Sequence, residues 1–336
     1  MLETSFTRLF GLRYPIMQSP MGSVSSPELV AAVSNAGGMG MLACAGLPPE
    51  LIRGQIKQVR ALTDKPFGVN LLLPVYQPGQ AEACIEERVP LLSLYWGDPE
   101  PHVGNAHKAG IKVMVQVGSV EEAKAAQAAG VDLVVAHGVE AGGHVRGTIT
   151  TMVLVPLVVD AVGALPVLAA GGIADGRGLA AALALGAAGA ALGTRFLAST
   201  ECGAHPEYKR RVVAAQAADT RYTTLFDFGW PDAPHRVLHN SVMAEWEAAG
   251  RPASGARPHE GEIIGQIRFS EMSLPVPRYA AFPASAGFDG AVEKAALYAG
   301  QTCGLVNDIR PAAEIVADLA RQADEALNAV SGSATH

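Results

Sequence analysis

The chain has 336 residues, 49% of them hydrophobic, enough to bury one large core with an appendage. A net charge of −7, with no basic stripe or arm, argues against a nucleic-acid partner. Four scattered cysteines (Cys44, Cys84, Cys202, Cys303) form no metal-like pair, residues 1–5 carry no leader pattern and no apolar run is long enough to span a bilayer, so a cytoplasmic protein with reduced thiols and no membrane partner is expected.

In chain order, a short apolar strand over 14–22 closes on Pro20, Met21 and Gly22. Ser26-Pro27-Glu28 opens a helix: Ser26 is the N-cap, Pro27 takes the first helical position, and Leu29, Val30 and Val33 form the buried face. A strand over 39–43, a helix over 49–62 and a strand over 66–72 follow, and then a Pro/Gly/Gln loop from Pro74. The alternation continues with strands over 91–96, 112–117, 133–137, 166–170 and 190–196. The helices between and after them fall over 102–109, 120–129, 153–162, 177–185 and 206–215. Eight strands that read as continuous apolar runs, separated by helices, predict a parallel sheet with right-handed crossovers. An α/β fold of the (β/α)8 TIM-barrel type follows, with an open doubly wound sheet as the alternative.

The pattern breaks after Ala215. Residues 216–285 hold Trp230 and Trp246, a helix over 242–249 and a proline-punctuated stretch over 260–285. They are predicted to form a small helical insertion or cap on a barrel over 1–215. Helical spacing over 292–299 and an amphipathic helix over 311–326 predict that 286–330 packs back on the barrel, with the tail over 330–336 frayed.

Barrel sites are built by the loops at the carboxyl ends of the strands. The sixth strand ends in His137-Gly138-Val139-Glu140-Ala141-Gly142-Gly143-His144, where small residues let backbone approach a ligand and leave the imidazole of His144 clear. The seventh and eighth strands end in Ala170-Gly171-Gly172-Ile173-Ala174-Asp175-Gly176 and Gly193-Thr194-Arg195. Glycine-rich turns leading into helices at these positions are where barrels commonly bind a phosphate. The spacing is not GxGxxG, which argues against a dinucleotide fold. No lysine follows a barrel strand, so a flavin fits better than pyridoxal phosphate. The backbone of Pro20-Met21-Gly22 suits a planar ring, with an N–H aimed at a ring acceptor, and Asn70 and Gln116 are neutral amides for a ring edge. His137 and His144 lack companion carboxylates, so no metal is expected. His102, His107, His205, His235 and His239 are assigned to the surface by default.

Together, Pro15-Ile16-Met17, Pro20-Met21-Gly22, Gly68-Val69-Asn70, the segment His137 to His144, Ala170 to Gly176 and Leu192-Gly193-Thr194-Arg195-Phe196 resemble the nitronate monooxygenase family, formerly 2-nitropropane dioxygenases. The resemblance covers the barrel and extends to Tyr298-Ala299-Gly300-Gln301, a segment similar to the nitronate-oxidising branch. It implies FMN in a TIM barrel, with the ring by Met21, Gly22, Asn70 and Gln116 and the phosphate on Gly171, Gly172, Gly193 and Thr194. Pro20, Gly142, Gly143, Ala170, Tyr298 and Gln301 complete the expected cofactor shell, and the catalytic histidine maps onto His144. The implied reaction is oxidation of an alkyl nitronate by dioxygen to a carbonyl compound plus nitrite. The expected partners are thus a small-molecule substrate and dioxygen, with a homo-oligomer left open. Enoyl reductases and NAD(P)H:quinone reductases share most of these motifs, so a pyridine-nucleotide-dependent reductase is the rival, and a non-catalytic flavin or phosphate-ligand binder is a second.

Overall fold

The structure is a computed structural model and describes residues 3–269 and 272–332. The expectations for Met1 and Leu2 and for 333–336 lie outside the described residues. Parallel strands β1 (Ile16–Gln18), β2 (Gly40–Ala43), β3 (Phe67–Leu72), β4 (Leu91–Tyr95), β5 (Lys112–Val117), β6 (Leu133–His137), β8 (Val167–Ala170) and β9 (Gly189–Leu192) pair in the order β1-β9-β8-β6-β5-β4-β3-β2. The two-residue β7 (Gly143–His144) stands outside this ring. The barrel closes where Met17 bridges Met39: the Met39 amide donates to Ile16 O and its carbonyl accepts from the Gln18 amide, both at 2.9 Å.

Side chains fill the interior, as a small barrel requires. Met17, Met39, Met41, Met114, Leu91, Leu133 and Leu168 form its core. Gly68 makes room for one of them, since a Cβ there would lie 2.4 Å from Met41 Sδ. Helix α1 (Ser5–Phe10) plugs the amino end: Phe6 is fully buried and meets Phe10 edge to face at 5.7 Å. The candidate site therefore opens at the other end.

Outside the strands lie α2 (Pro27–Asn35), α3 (Pro49–Leu62), α4 (Gln80–Glu86), α5 (Glu100–Lys108), α6 (Val120–Ala128), α7 (Thr151–Val162) and α8 (Gly176–Ala184). Ser26 caps α2 as its sequence predicts, accepting the Leu29 amide at 3.2 Å. The sequence reading missed α4. Its buried face holds small residues, Ala81, Ala83 and Cys84, and Gln80 Nε2 ties it to Leu47 O at 2.7 Å, so tertiary contacts hold a helix too short to announce itself. The expected eighth strand is also cut short. It ends at Leu192, and Thr194 to Phe196 begin α9 (Thr194–Leu197), because a buried apolar run looks alike in either conformation.

After α9, α10 (Pro206–Ala214) packs against the 3-10 turns Val292–Lys294 and Gln301–Leu305. The place of the eighth outer helix, between α8 and α2, goes to α12 (Ala312–Gly332). The close approach needs Gly176, where a Cβ would lie 2.3 Å from Gln322 Cβ, and Gln322 Oε1 accepts the Gly176 amide at 3.0 Å. Val330 belongs to this helix rather than to a frayed end.

The segment predicted as a helical insertion holds more strand than helix. It contains β10 (Thr220–Thr223), β11 (His235–Leu238), one helix, α11 (Ser241–Ala248), then β12 (Ile263–Phe269) and β13 (Met272–Pro277). β11 joins β10 to β7, and β12 joins β13 to β14 (Phe288–Gly290). Pro275 and Pro277 lie on β13, an edge strand, where a missing amide costs no ladder bond; that is why the prolines misled. The helical spacing over 292–299 yields only the 3-10 turn Val292–Lys294, and Tyr298 bridges Val237 of β11. Among the described residues no helix is long and apolar enough to cross a membrane.

Candidate active site

The loop after β6 is tied down from several sides. The Glu140 carboxylate accepts the Thr151 amide at 2.9 Å and the Thr151 hydroxyl at 3.0 Å, capping α7. Gly142 lies against the backbone of Ala299 and Gly300, where a Cβ would come 2.4 Å from the Gly300 amide nitrogen, and the Gln301 amide donates to Glu140 O at 3.0 Å. β7 pairs with β11, placing Gly143 opposite Arg236 and His144 opposite His235. Arg236 donates to Val139 O through Nε at 3.1 Å and Nη2 at 2.9 Å. Two phenols complete the clamp: Tyr95 donates to His144 O at 2.9 Å and Tyr222 to Val145 O at 3.0 Å.

The imidazole of His144 sits in an aromatic box. The Trp230 indole stacks on it at 4.1 Å and 25°, while His235 lies 5.2 Å away, Tyr298 5.3 Å and Trp96 6.3 Å. Nε2 of His144 is buried and has no hydrogen-bond partner among the described residues. Burial, and secondarily His235, push its pKa down to about 3. Among the described residues no carboxylate lies against the ring, so burial disfavours the cation. His235 is likewise neutral, held near 4 by burial. Its Nδ1 lies 2.8 Å from Ala233 O and its Nε2 accepts the Phe226 amide at 3.3 Å, which sets the tautomer. His137, at the end of β6, is lowered to about 4 by burial, with Nδ1 3.4 Å from the Tyr95 hydroxyl.

The other expected site residues line the barrel mouth. Gly171 and Gly172 adopt φ of +96° and +71°, which favour glycine. A Cβ at Gly171 would meet Thr151 Oγ1 at 2.9 Å, whereas at Gly172 the nearest atom is 3.8 Å away, so the space above Gly172 is open. The amides of Gly172, Gly193 and Thr194 have no acceptor among the described residues, leaving a set of donors suited to an anion. Thr194 Oγ1 accepts the Gly300 amide at 3.0 Å, which joins this cradle to the Tyr298–Gln301 segment. Ala170 is buried, its carbonyl accepting the Gly138 amide at 2.9 Å, so it shapes the turn. A methyl group at Gly193 would lie 3.9 Å from Met21 Sδ, so the loops after β1 and β9 face each other.

Asn70 accepts from the Ser93 hydroxyl at 2.9 Å and keeps its amide N–H groups without a partner among the described residues, as does the half-buried Gln116. Pro20 and Gly22 are half-buried in the loop after β1. The Met21 amide donates to Ser25 Oγ at 2.8 Å as the chain turns into a 3-10 helix. Tyr298 faces His144 rather than the glycine cradle, and its hydroxyl donates to Ala281 O at 3.0 Å. The Gln301 side chain is exposed. A separate cleft of about 660 Å³ between α8 and α12 is no rival site. Its Arg177, Arg195 and Arg310 are paired with Asp175, Asp308 and Asp318, which cancels their charge.

The sequence reading missed Tyr95, Trp96 and Trp230, and it assigned the fully buried His235 to the surface. Trp96 stands at the carboxyl end of β4, a position that could have flagged it. Trp230 and His235 reach the site only through the pairing of β11 with β7, which no local pattern reveals.

Residues 3–84 and 78–322 match the family described as nitronate monooxygenase. The chain is 35% identical to a nitronate monooxygenase of Pseudomonas aeruginosa, covering 94% of this chain and 98% of that protein. It is 38% identical to a 5-hydroxy-7a-methyl-1-oxo-octahydro-1H-indene-4-carboxyl-CoA dehydrogenase of Mycobacterium tuberculosis, over 81% of this chain and 75% of the relative. The structure of FabK from Thermotoga maritima superposes with a TM-score of 0.82 at 33% identity, covering 99% of this chain and all of the other. With a closed eight-stranded barrel and a match that runs through nearly all of it, the chain belongs to the nitronate monooxygenase family and is a flavin-dependent oxidoreductase.

Proposed function

We propose that the chain oxidises alkyl nitronates with dioxygen on bound FMN, giving a carbonyl compound and nitrite. One observation carries this reading: a buried, neutral imidazole with an unpartnered Nε2, on a backbone clamped by β11, Tyr95 and Tyr222 at the mouth of the barrel. Similarity to the Pseudomonas aeruginosa nitronate monooxygenase over nearly the whole chain supports it. Flavin supplies the electron-transfer chemistry when bound. The free amides of Gly172, Gly193 and Thr194 suit its phosphate, and the amide side chains of Asn70 and Gln116 suit the edge of its ring.

His144 arrives at the reaction neutral. An anionic nitronate brought against Nε2 favours the imidazolium, so substrate binding itself draws a proton onto that atom. A neutral nitroalkane must instead surrender its α-proton to a base whose charged form the box disfavours. Preformed nitronates are therefore the better substrates. The aromatic walls exclude water from the reacting carbon. The partners on this reading are a small molecule and dioxygen, in the cytoplasm, without nucleic acid or membrane.

A second reading, reduction of a conjugated acceptor by NADH or NADPH, is favoured by the similarity to the carboxyl-CoA dehydrogenase and to FabK. Anaerobic mixing separates the two. Bleaching of the flavin by propyl-1-nitronate and not by NADH or NADPH is expected. Rapid bleaching by either nucleotide, with none by the nitronate, transfers the assignment to the reductase.

A further inference from the structure

We infer that Trp230 and Trp96 form a selectivity slot over His144, and that the preferred substrate carries a flat, uncharged conjugated ring next to its reactive carbon. The inference rests on reading His144 as the group that faces the substrate.

The two indoles come from distant parts of the chain, Trp96 just after β4 and Trp230 from the connection between β10 and β11. They meet edge to face at 5.1 Å. Trp96 is the fixed wall. It holds φ at +65°, a left-handed conformation that costs a bulky residue and that glycine or asparagine would adopt more easily. Such strain at the mouth of a site marks a side chain that is used. The Arg146 guanidinium lies 5.4 Å from its ring and pairs with Glu122 at 3.2 Å, bracing the indole from outside.

Trp230 is the adjustable wall. It is half-buried, its indole N–H has no acceptor among the described residues, and it lies between exposed Gly229 at φ +96° and exposed Asp232 at φ +53°. Its near-parallel contact with the imidazole shows that this face of His144 accepts a flat π system. A substrate ring inserted there keeps one stacking contact with the imidazole, gains a second from the displaced indole, and meets Trp96 edge-on. A short alkyl chain makes none of these contacts. The Arg146 guanidinium against Trp96 is paired with Glu122 and brings the slot no net charge, so the ring it favours is uncharged.

The test uses FMN-loaded protein and two preformed nitronates, those of phenylnitromethane and 1-nitropropane. In Trp230→Ala the ratio of kcat/KM for the aryl over the alkyl nitronate should fall about tenfold, mostly through KM, and Trp230→Phe should restore it to within about threefold of wild type. An unchanged or increased ratio in Trp230→Ala overturns the slot. If wild type oxidises neither nitronate, the functional reading fails by itself, and calorimetric titration with the neutral nitro compounds still tests the slot. A preference for phenylnitromethane that Trp230→Ala loses supports it, and equal affinities for the two ligands in wild type refute it.

Discussion

The two ends of the candidate site are built from different materials. At the cradle, Gly172, Gly193 and Thr194 offer backbone amides, held by loops of the barrel wall itself. At the other end, side chains make the surface: Trp96 from the barrel, His144 from β7, and Trp230, His235 and Tyr298 from the chain that follows it. The cradle resists a side chain at Gly171, where a Cβ would come 2.9 Å from Thr151 Oγ1, while Gly172 and Gly193 face more open space. A box made of side chains can be retuned without disturbing the cradle. On the proposed function, the cradle would anchor the cofactor and the box would shape what meets it.

That division predicts opposite kinds of damage. The largest effect belongs to the cradle. Gly172→Asp places a carboxylate in open space near Glu140, where an anion would bind, and should yield folded but colourless protein with no activity. Gly172→Ala should retain flavin, with only the strain of positive φ to bear. A visible spectrum with full flavin occupancy in the Asp variant would break the comparison at its first term. Next comes the box: His144→Ala should keep the protein yellow yet lower turnover of neutral nitroalkanes by about 10²–10⁴-fold, the usual worth of a general base. Loss of flavin in that variant would mean the two ends are not separable.

A third effect concerns acid. Burial holds His137 and His235 near 4 and His144 near 3, while the unfolded imidazoles titrate near 6.5. Between those values the unfolded chain binds protons that the folded chain does not, so stability falls as pH drops from about 6.5 toward 4, and these groups contribute no slope above that range. Urea midpoints measured from pH 8 to 4.5 should be flat and then decline. His235→Gln should shallow the decline, and an unaltered slope would show that His235 does not share in it. The smallest effect tests the clamp. Tyr95→Phe removes one hydrogen bond to His144 O, worth about 1 kcal/mol, and should lower kcat severalfold with flavin affinity unchanged.

The barrel was legible because most strand–helix units declare themselves locally, α4 being the exception. Ser26-Pro27-Glu28 opens α2, Gly130 follows α6, and β5 and β6 fall where continuous apolar runs place them. The turns after β8 and β9 and the histidine after β6 could be picked out for the same reason, since a barrel sends every strand end to one face. Where local pattern was ambiguous the reading slipped, as at Thr194 to Phe196, where a buried apolar run turned out helical.

The amino-acid sequence by itself determined the alternation of elements, the glycines of the cradle and the candidacy of His144, because hydrophobic period, caps and glycine φ act over a few residues. Only the tertiary structure decided that α12 takes the eighth helix position, that β11 holds β7, and that Trp96, Trp230 and His235 surround the imidazole. Those outcomes depend on which distant surfaces bury each other most completely, a competition settled by packing across the whole molecule and written in no single stretch of the chain.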